Sequence, residues 1–177
     1  VRVLNPESPL AQPFLQVLNA FRYGKSLTPE EREAMGHMVA RALTERIPPE
    51  QRKRHLKLGR GALATIEFWA QQRVLESAAT QSDLSDLPSG GTLNMLHWLL
   101  RRGALSRADY EVLHSAWLFL YQLRNRVALL FEAAPDLLPE GDRLEKLARS
   151  LDFHSAAELE QRYRGTTEAV AQTTNLL

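Results

Sequence analysis

Cysteine is absent from the 177 residues. That removes disulfides, thiolate metal sites and thiol nucleophiles, and it fits a cytoplasmic setting, where disulfides are rare. No apolar run approaches the roughly 20 residues that cross a bilayer, so no membrane partner is expected. The opening Val1-Arg2-Val3-Leu4 is too short and too mixed for a secretory signal. A dominant charge is missing as well. The 22 Lys and Arg stand against 21 Asp and Glu, a net charge of +1, with a pI near 8.3. A dedicated nucleic-acid-binding domain carries a stronger basic excess, so no nucleic acid is expected either. The period-two alternation of a strand is nowhere sustained, and no short β-branched run sits between turn signals. No internal repeat or low-complexity tract is visible. The chain also lacks an initiator Met, which reads as a piece of a longer polypeptide.

What remains is helical. A hydrophobic content of 44% supplies one core of ordinary size, and the length suits one domain. Residues 1–9, with Pro6 and Pro9, read as an irregular lead-in. Over residues 10–23, Leu10, Phe14, Val17, Leu18 and Phe21 share one helical face, with Gly24 as a stop. Thr28-Pro29-Glu30-Glu31 is a start signal, with a capping hydroxyl, a proline preset for the first turn and acids at the positive end of the dipole. The helix it opens runs to about residue 46 and turns Met35, Met38, Val39, Ala42 and Leu43 inward before Pro48 and Pro49 end it. A short helical turn is expected over residues 51–55.

A central helix follows Gly61, with Leu63, Ile66, Ala70 and Val74 at helical spacing. Residues 82–91 read as a surface loop. Thr92 is the expected cap of the next helix, which carries Leu93, Leu96, Leu99 and Leu100 and stops at Gly103. Ser106-Arg107-Ala108-Asp109 has capping-box spacing. The longest helix follows it, its stripe traced by Leu113, Trp117, Leu120, Leu123, Val127 and Leu130, and closed by Pro135 and Pro139. Two further helices are expected near residues 142–151 and 155–174. The pattern predicts an all-α fold, a single helical-bundle domain of about seven helices.

The chemistry-bearing residues are sparse. His37, His55, His97, His114 and His154 contain no pair three to five apart, so no helix face offers two imidazoles to a metal. Neither a G-x-S-x-G elbow nor a G-x-x-x-x-G-K-[ST] phosphate loop occurs. Asp83 and Asp86 share a polar loop, which is their usual home. Trp69, Trp98 and Trp117 lie beside leucines on separate predicted helices and read as core. No catalytic residue and no metal ligand is assigned.

One junction stands out. Arg52-Lys53-Arg54-His55 and Lys57 lead into Gly59, Arg60 and Gly61 just before the central helix. Alternating glycines allow a tight turn. A helix start of this kind points unpaired N–H groups at an anion. Glu67 and Gln71 lie one turn apart on that helix, within reach of Lys57 and Arg60. Local chemistry leaves two readings open here, an anion site and a turn that merely delivers a buried helix.

Lys57-x-Gly59-x-Gly61 followed by Ile66-Glu67-Phe68 and Gln71 resembles a motif of the glutamine synthetase adenylyltransferases. Later segments agree in order: Gly103-Ala104-Leu105-Ser106, Ala116-Trp117-Leu118-Phe119-Leu120, Leu123-Arg124-Asn125-Arg126, Leu137-Leu138-Pro139 and Leu147-Ala148-Arg149. The resemblance runs from about residue 9 to the end. It implies the helical domain that follows a nucleotidyltransferase domain. The parent enzyme would use Mg and ATP to transfer AMP to glutamine synthetase, removing it by phosphorolysis in bifunctional members, with PII as a further partner. Lys57, Gly59, Arg60, Gly61, Glu67 and Gln71 would then contact nucleotide or the upstream catalytic domain, with no cofactor of their own. The PII uridylyltransferases share this kind of domain, and a non-enzymatic helical interaction module is the remaining alternative. Two positions depart from the family pattern. Ala62 stands where a glycine is usual, and Thr65 where an acid is usual, on the face taken to be nearest the glycine loop.

Overall fold

A computed structural model of the chain describes residues 5, 7–25, 27–79, 86–88, 90–131 and 136–175, with the backbone alone at 42–44. The expectations for Ala42, Leu43, Asp83, Pro135, most of the lead-in and half of the 82–91 loop lie outside the described residues. Seven α-helices and one 3-10 helix are present among them: α1 (Ala11–Tyr23), α2 (Pro29–Glu45), the 3-10 helix (Pro49–Arg54), α3 (Leu63–Ala78), α4 (Thr92–Arg101), α5 (Arg107–Phe131), α6 (Gly141–Ser150) and α7 (Ala156–Thr174). The described residues contain no strand, only an isolated antiparallel bridge between His55 and Leu137. The fold is all-α, as the periodicity predicts.

Local chemistry sets several of the helix ends. Thr28 and Glu31 form a reciprocal capping box at α2, the hydroxyl accepting from Glu31 N–H at 3.2 Å and the carboxylate from Thr28 N–H at 2.9 Å. Ser106 accepts from Asp109 N–H at 3.1 Å, and Ser155 caps α7 through Glu158 N–H at 3.2 Å. Gly103 ends α4 with φ +69°, the left-handed stop its position predicts. Thr92 differs from expectation. It is the first residue of α4 and is buried, while Gly91, at φ +81°, takes the cap position. A backbone turn of that sign suits glycine and not threonine.

The core lies where α3 and α5 pass through the bundle. Leu63, Ile66, Ala70 and Val74 of α3 meet Leu113, Leu120, Leu123 and Val127 of α5, with Leu96 and Leu99 of α4 and Leu159, Tyr163 and Val170 of α7. Trp98 is fully buried among them and its indole N–H donates to the Asp86 carbonyl. Trp69 and Trp117 are only half-buried at the rim.

The first two helices differ from this body. Met38 of α2, expected inward, is exposed, and Val39 packs instead with Ala64, Leu58 and Phe68. The apolar face of α1 points to solvent: Leu10 is 74% exposed, Phe14 51%, Val17 72% and Phe21 86%. Its opposite face carries the buried Ala11 and Tyr23. Gln12, Gln16, Asn19 and Arg22 lie on that side too, so the helix turns its polar side toward the body and its apolar stripe outward.

The body is closed by a backbone approach at Gly61. Its φ is +69°, and a Cβ there would lie 1.9 Å from the Thr167 carbonyl oxygen of α7. Gly103 has the same φ with nothing within 4 Å. Gly103→Ala should therefore cost about 1–2 kcal/mol, the left-handed strain alone. Gly61→Ala should cost about 3 kcal/mol or more, because overpacking adds to that strain. Urea unfolding of both variants checks this, and equal losses would contradict the close approach.

Candidate functional site

The junction before α3 is tighter than an open anion cradle. The backbone folds back so that the first N–H groups of the helix find carbonyls within the loop. Ala62 N–H donates to Gly59 O at 3.0 Å, Leu63 to Leu56 O at 3.3 Å, Ala64 to Lys57 O at 2.8 Å and Thr65 to Ala62 O at 3.0 Å. The unpaired donors expected at this helix start are thus already used, which removes the physical basis of an anion site there. Gly59 and Gly61 are both buried. A Cβ on Gly59 would sit 2.5 Å from His55 O and 2.8 Å from Arg52 O, so each glycine is required by backbone next to it.

The side chains named from the sequence separate into two groups. Arg60 is exposed and turns to α7, where its guanidinium donates to Glu168 at 2.8 Å. Such an exposed pair contributes little to stability. Lys57 and Glu67 come together instead. Glu67 is half-buried on α3, and burial pushes its carboxyl above the ordinary value, while the nearby Lys57 and Arg124 pull it down and lose. Gln71 lies one turn further on and is exposed.

Residues that the motif reading left aside complete this patch. Arg124 of α5 donates to Asp136 at 2.5 Å. The Asp136 carbonyl accepts Leu56 N–H at 2.7 Å, and Leu138 N–H donates to Arg54 O at 2.9 Å. The segment before α3 is thereby tied to the segment before α6. Within it, His55 Nδ1 accepts the N–H groups of Lys57 and Leu58 at 3.3 and 3.0 Å. That places the proton of the neutral ring on Nε2. Arg54 reaches the Leu138 carbonyl and Glu140. The result is a half-buried polar patch of His55, Lys57, Glu67, Arg124 and Asp136. Arg124 was legible as part of Leu123-Arg124-Asn125-Arg126, but nothing in the sequence places it beside Glu67.

A family model described as GlnD PII-uridylyltransferase matches residues 37–177. The chain belongs to that family. Among curated relatives, a bifunctional glutamine synthetase adenylyltransferase/adenylyl-removing enzyme of Leifsonia xyli subsp. xyli is 32% identical over 166 residues, covering 91% of this chain and 16% of the relative. Enzymes of the same name from Bifidobacterium longum and Streptomyces avermitilis are 34% identical over 139 residues and 37% over 118. These matches cover 76% and 66% of this chain, and 13% and 12% of those relatives. The chain thus spans about a sixth or less of the length of the curated relatives it matches. The body from α3 to α7 lies wholly inside the family match, whereas α1 precedes it.

Within this family chain, Thr65 is interior, 1% exposed, and its hydroxyl has no hydrogen-bond partner. The departure from an acid therefore does not alter a docking face, because the first turn of α3 is covered by the chain itself. An unpaired buried hydroxyl costs about 1–3 kcal/mol. Thr65→Val keeps the shape and removes the polar atom, so it should raise stability by about 1 kcal/mol. A fall in thermal midpoint would show that the hydroxyl is bonded.

Two groups of the patch make stability depend on pH with opposite signs. Burial first, then Lys57 and Arg124, hold His55 below its ordinary 6.5, with Asp136 opposing them. The unfolded chain thus takes up that proton first as pH falls. The His55 contribution is complete above about pH 6.5 and is lost as pH drops through 6.5 toward the lower folded value. Glu67 is raised, so its charged form costs stability above its folded value, and the cost fades as pH falls to 4.5 and below. Thermal unfolding between pH 8 and 4 should show an acid-side loss beginning near 6.5. His55→Asn, whose amide oxygen can accept the same two N–H groups, should lack that loss. Glu67→Gln should raise the midpoint at pH 8, with the gain shrinking toward pH 4.

Proposed function

We propose that this chain is the helical domain of a glutamine synthetase adenylyltransferase-like enzyme. The parent would transfer AMP from ATP to glutamine synthetase with Mg, and in bifunctional members remove it by phosphorolysis. The observation that carries the reading is the run of similarity to such enzymes along 91% of the chain. The half-buried patch around Glu67 supports it. A carboxylate that costs stability where it stands belongs to a site more readily than to a scaffold.

The domain's role is to hold and position. Two-metal transfer needs clustered carboxylates, and among the described residues no group of three His, Asp or Glu is placed to hold a metal ion. Lys57, Glu67 and Gln71, with Arg124, form the polar face available to nucleotide phosphates or to the upstream nucleotidyltransferase domain. Arg60 is held on α7, and Gly59 and Gly61 shape the loop. PII is a candidate effector of the parent. Among the described residues no helix is long and apolar enough to cross a membrane.

The description of the family model favours a second reading, in which the parent transfers UMP to PII. The full-length polypeptide incubated with Mg, labelled ATP or UTP, and glutamine synthetase or PII separates the two. Label moving from ATP to glutamine synthetase is expected. Transfer from UTP to PII overturns the first reading in favour of the second, and no transfer to either leaves the helical interaction module. In the active polypeptide, Lys57→Ala and Glu67→Ala should each lower transfer about tenfold or more, as loss of a positioning contact does. Unchanged rates would remove the patch from the function.

A further inference from the structure

Several ion pairs of the chain join neighbours on one helix and lie in water. In Arg41–Glu45, Arg107–Glu111 and Arg149–Glu145 the arginine side chains are 73%, 74% and 74% exposed. The pair of Arg124 and Asp136 is different. It joins α5 to the segment before α6, and its side chains are only 30% and 32% exposed. Desolvation offsets much of the attraction in such a pair, so stability alone is a weak reason for it.

The bond leaves most of the guanidinium unused. Nε of Arg124 donates to Asp136 Oδ1 at 2.5 Å. Nη1 and Nη2 carry the remaining donors of the group and meet no acceptor among the described residues. The Lys57 ammonium likewise has no hydrogen-bond or ion-pair partner among them. Both cations lie close enough to Glu67 and to His55 to bias their protonation. A guanidinium edge with parallel N–H groups and an ammonium beside it is the donor set that takes a phosphate.

Asp136 stands on a pinned main chain. Its carbonyl accepts Leu56 N–H at 2.7 Å, and Leu138 N–H donates to Arg54 O at 2.9 Å. The carboxylate therefore holds the guanidinium by Nε from a fixed place and leaves the Nη edge free. Asp136 cannot itself take an anion, since its charge repels one.

We propose that Arg124 binds a phosphate oxygen of a nucleoside triphosphate through Nη1 and Nη2, with Lys57 as the second cation, and that Asp136 is the positioning residue that holds Arg124 for it. This deepens, and rests on, the reading of the parent as a nucleotidyltransferase. The group recognised is a phosphate oxyanion, and the nucleotide of the proposed reaction is its source.

The affinity of the full-length polypeptide for Mg-ATP tests it, with adenosine, which has no phosphate, as the control ligand. Asp136→Ala should weaken Mg-ATP binding about tenfold, the worth of one charge-assisted contact. Arg124→Ala should weaken it at least as much. The double variant should match Arg124→Ala alone, because Asp136 acts only through Arg124. Asp136→Asn returns a neutral acceptor to Nε and should lose only about threefold. Adenosine should bind all of them alike. If Asp136→Ala does not fold, Asp136→Asn takes its place, with its loss absent in an Arg124→Lys background. Additive losses, or adenosine affinity falling together with that for Mg-ATP, mark a merely structural role and overturn the positioning. So does Mg-ATP binding that Asp136→Ala leaves unchanged. If Arg124→Ala weakens inorganic phosphate binding but not Mg-ATP binding, the site takes free phosphate and the named ligand is overturned. Nucleotide transfer by the wild type is measured in parallel, and Mg-UTP replaces Mg-ATP where UTP is the nucleotide transferred. Transfer with equal affinities across the variants sinks the positioning alone. Triphosphate binding with the expected variant pattern but no transfer sinks the functional reading alone, and a wild type that binds neither triphosphate sinks both.

Discussion

The backbone of the loop before α3 lies against the backbone of α7, with no side chain between them at Gly61. That contact brings the start of α3 under the last helix and fixes where the loop's carbonyls stand. Those carbonyls satisfy the first N–H groups of α3, so a buried helix start carries no uncompensated donors. The segment from His55 to Ala62 then has one course, and its other edge is free to pair with residues 136–138. Everything in the polar patch follows from this. Lys57 leaves the turn toward Glu67, and Asp136 is held beside Arg124, because both parent segments are pinned by main-chain bonds rather than by the charges themselves.

Within the patch, Glu67 and His55 are both half-buried. Each is displaced by burial, the carboxyl upward and the imidazole downward. For His55 the cause is structural, since its ring nitrogen caps two backbone donors. For Glu67 no comparable bond explains the position. Gln or Leu would avoid that burial cost, so packing alone does not account for a carboxylate there.

The molecule is unequal in its packing. The α3–α7 body buries continuous apolar surface, and the family match covers it. The α1–α2 arm holds on through a few residues, among them Ala11, Tyr23 and Val39, and leaves Phe14, Val17, Phe21 and Met38 exposed.

The sequence by itself determined the helices, the caps of α2, α5 and α7 and most of the buried stripe, because those depend on neighbours within a turn or two. Thr28 with Glu31, Ser155 with Glu158 and the leucine spacing of α5 act over short range and mean the same in any surroundings. It also carried the family, through short motifs in a fixed order. Only the tertiary structure decided which apolar face of α1 is covered, that Thr65 is interior, and that the glycines meet backbone rather than an anion. Each of these turns on what another segment, far off in the chain, places against the residue. A stripe on a helix shows that something should cover it, and a glycine that something comes close. Neither shows what that something is, since the partner's position is set by the packing of the whole bundle.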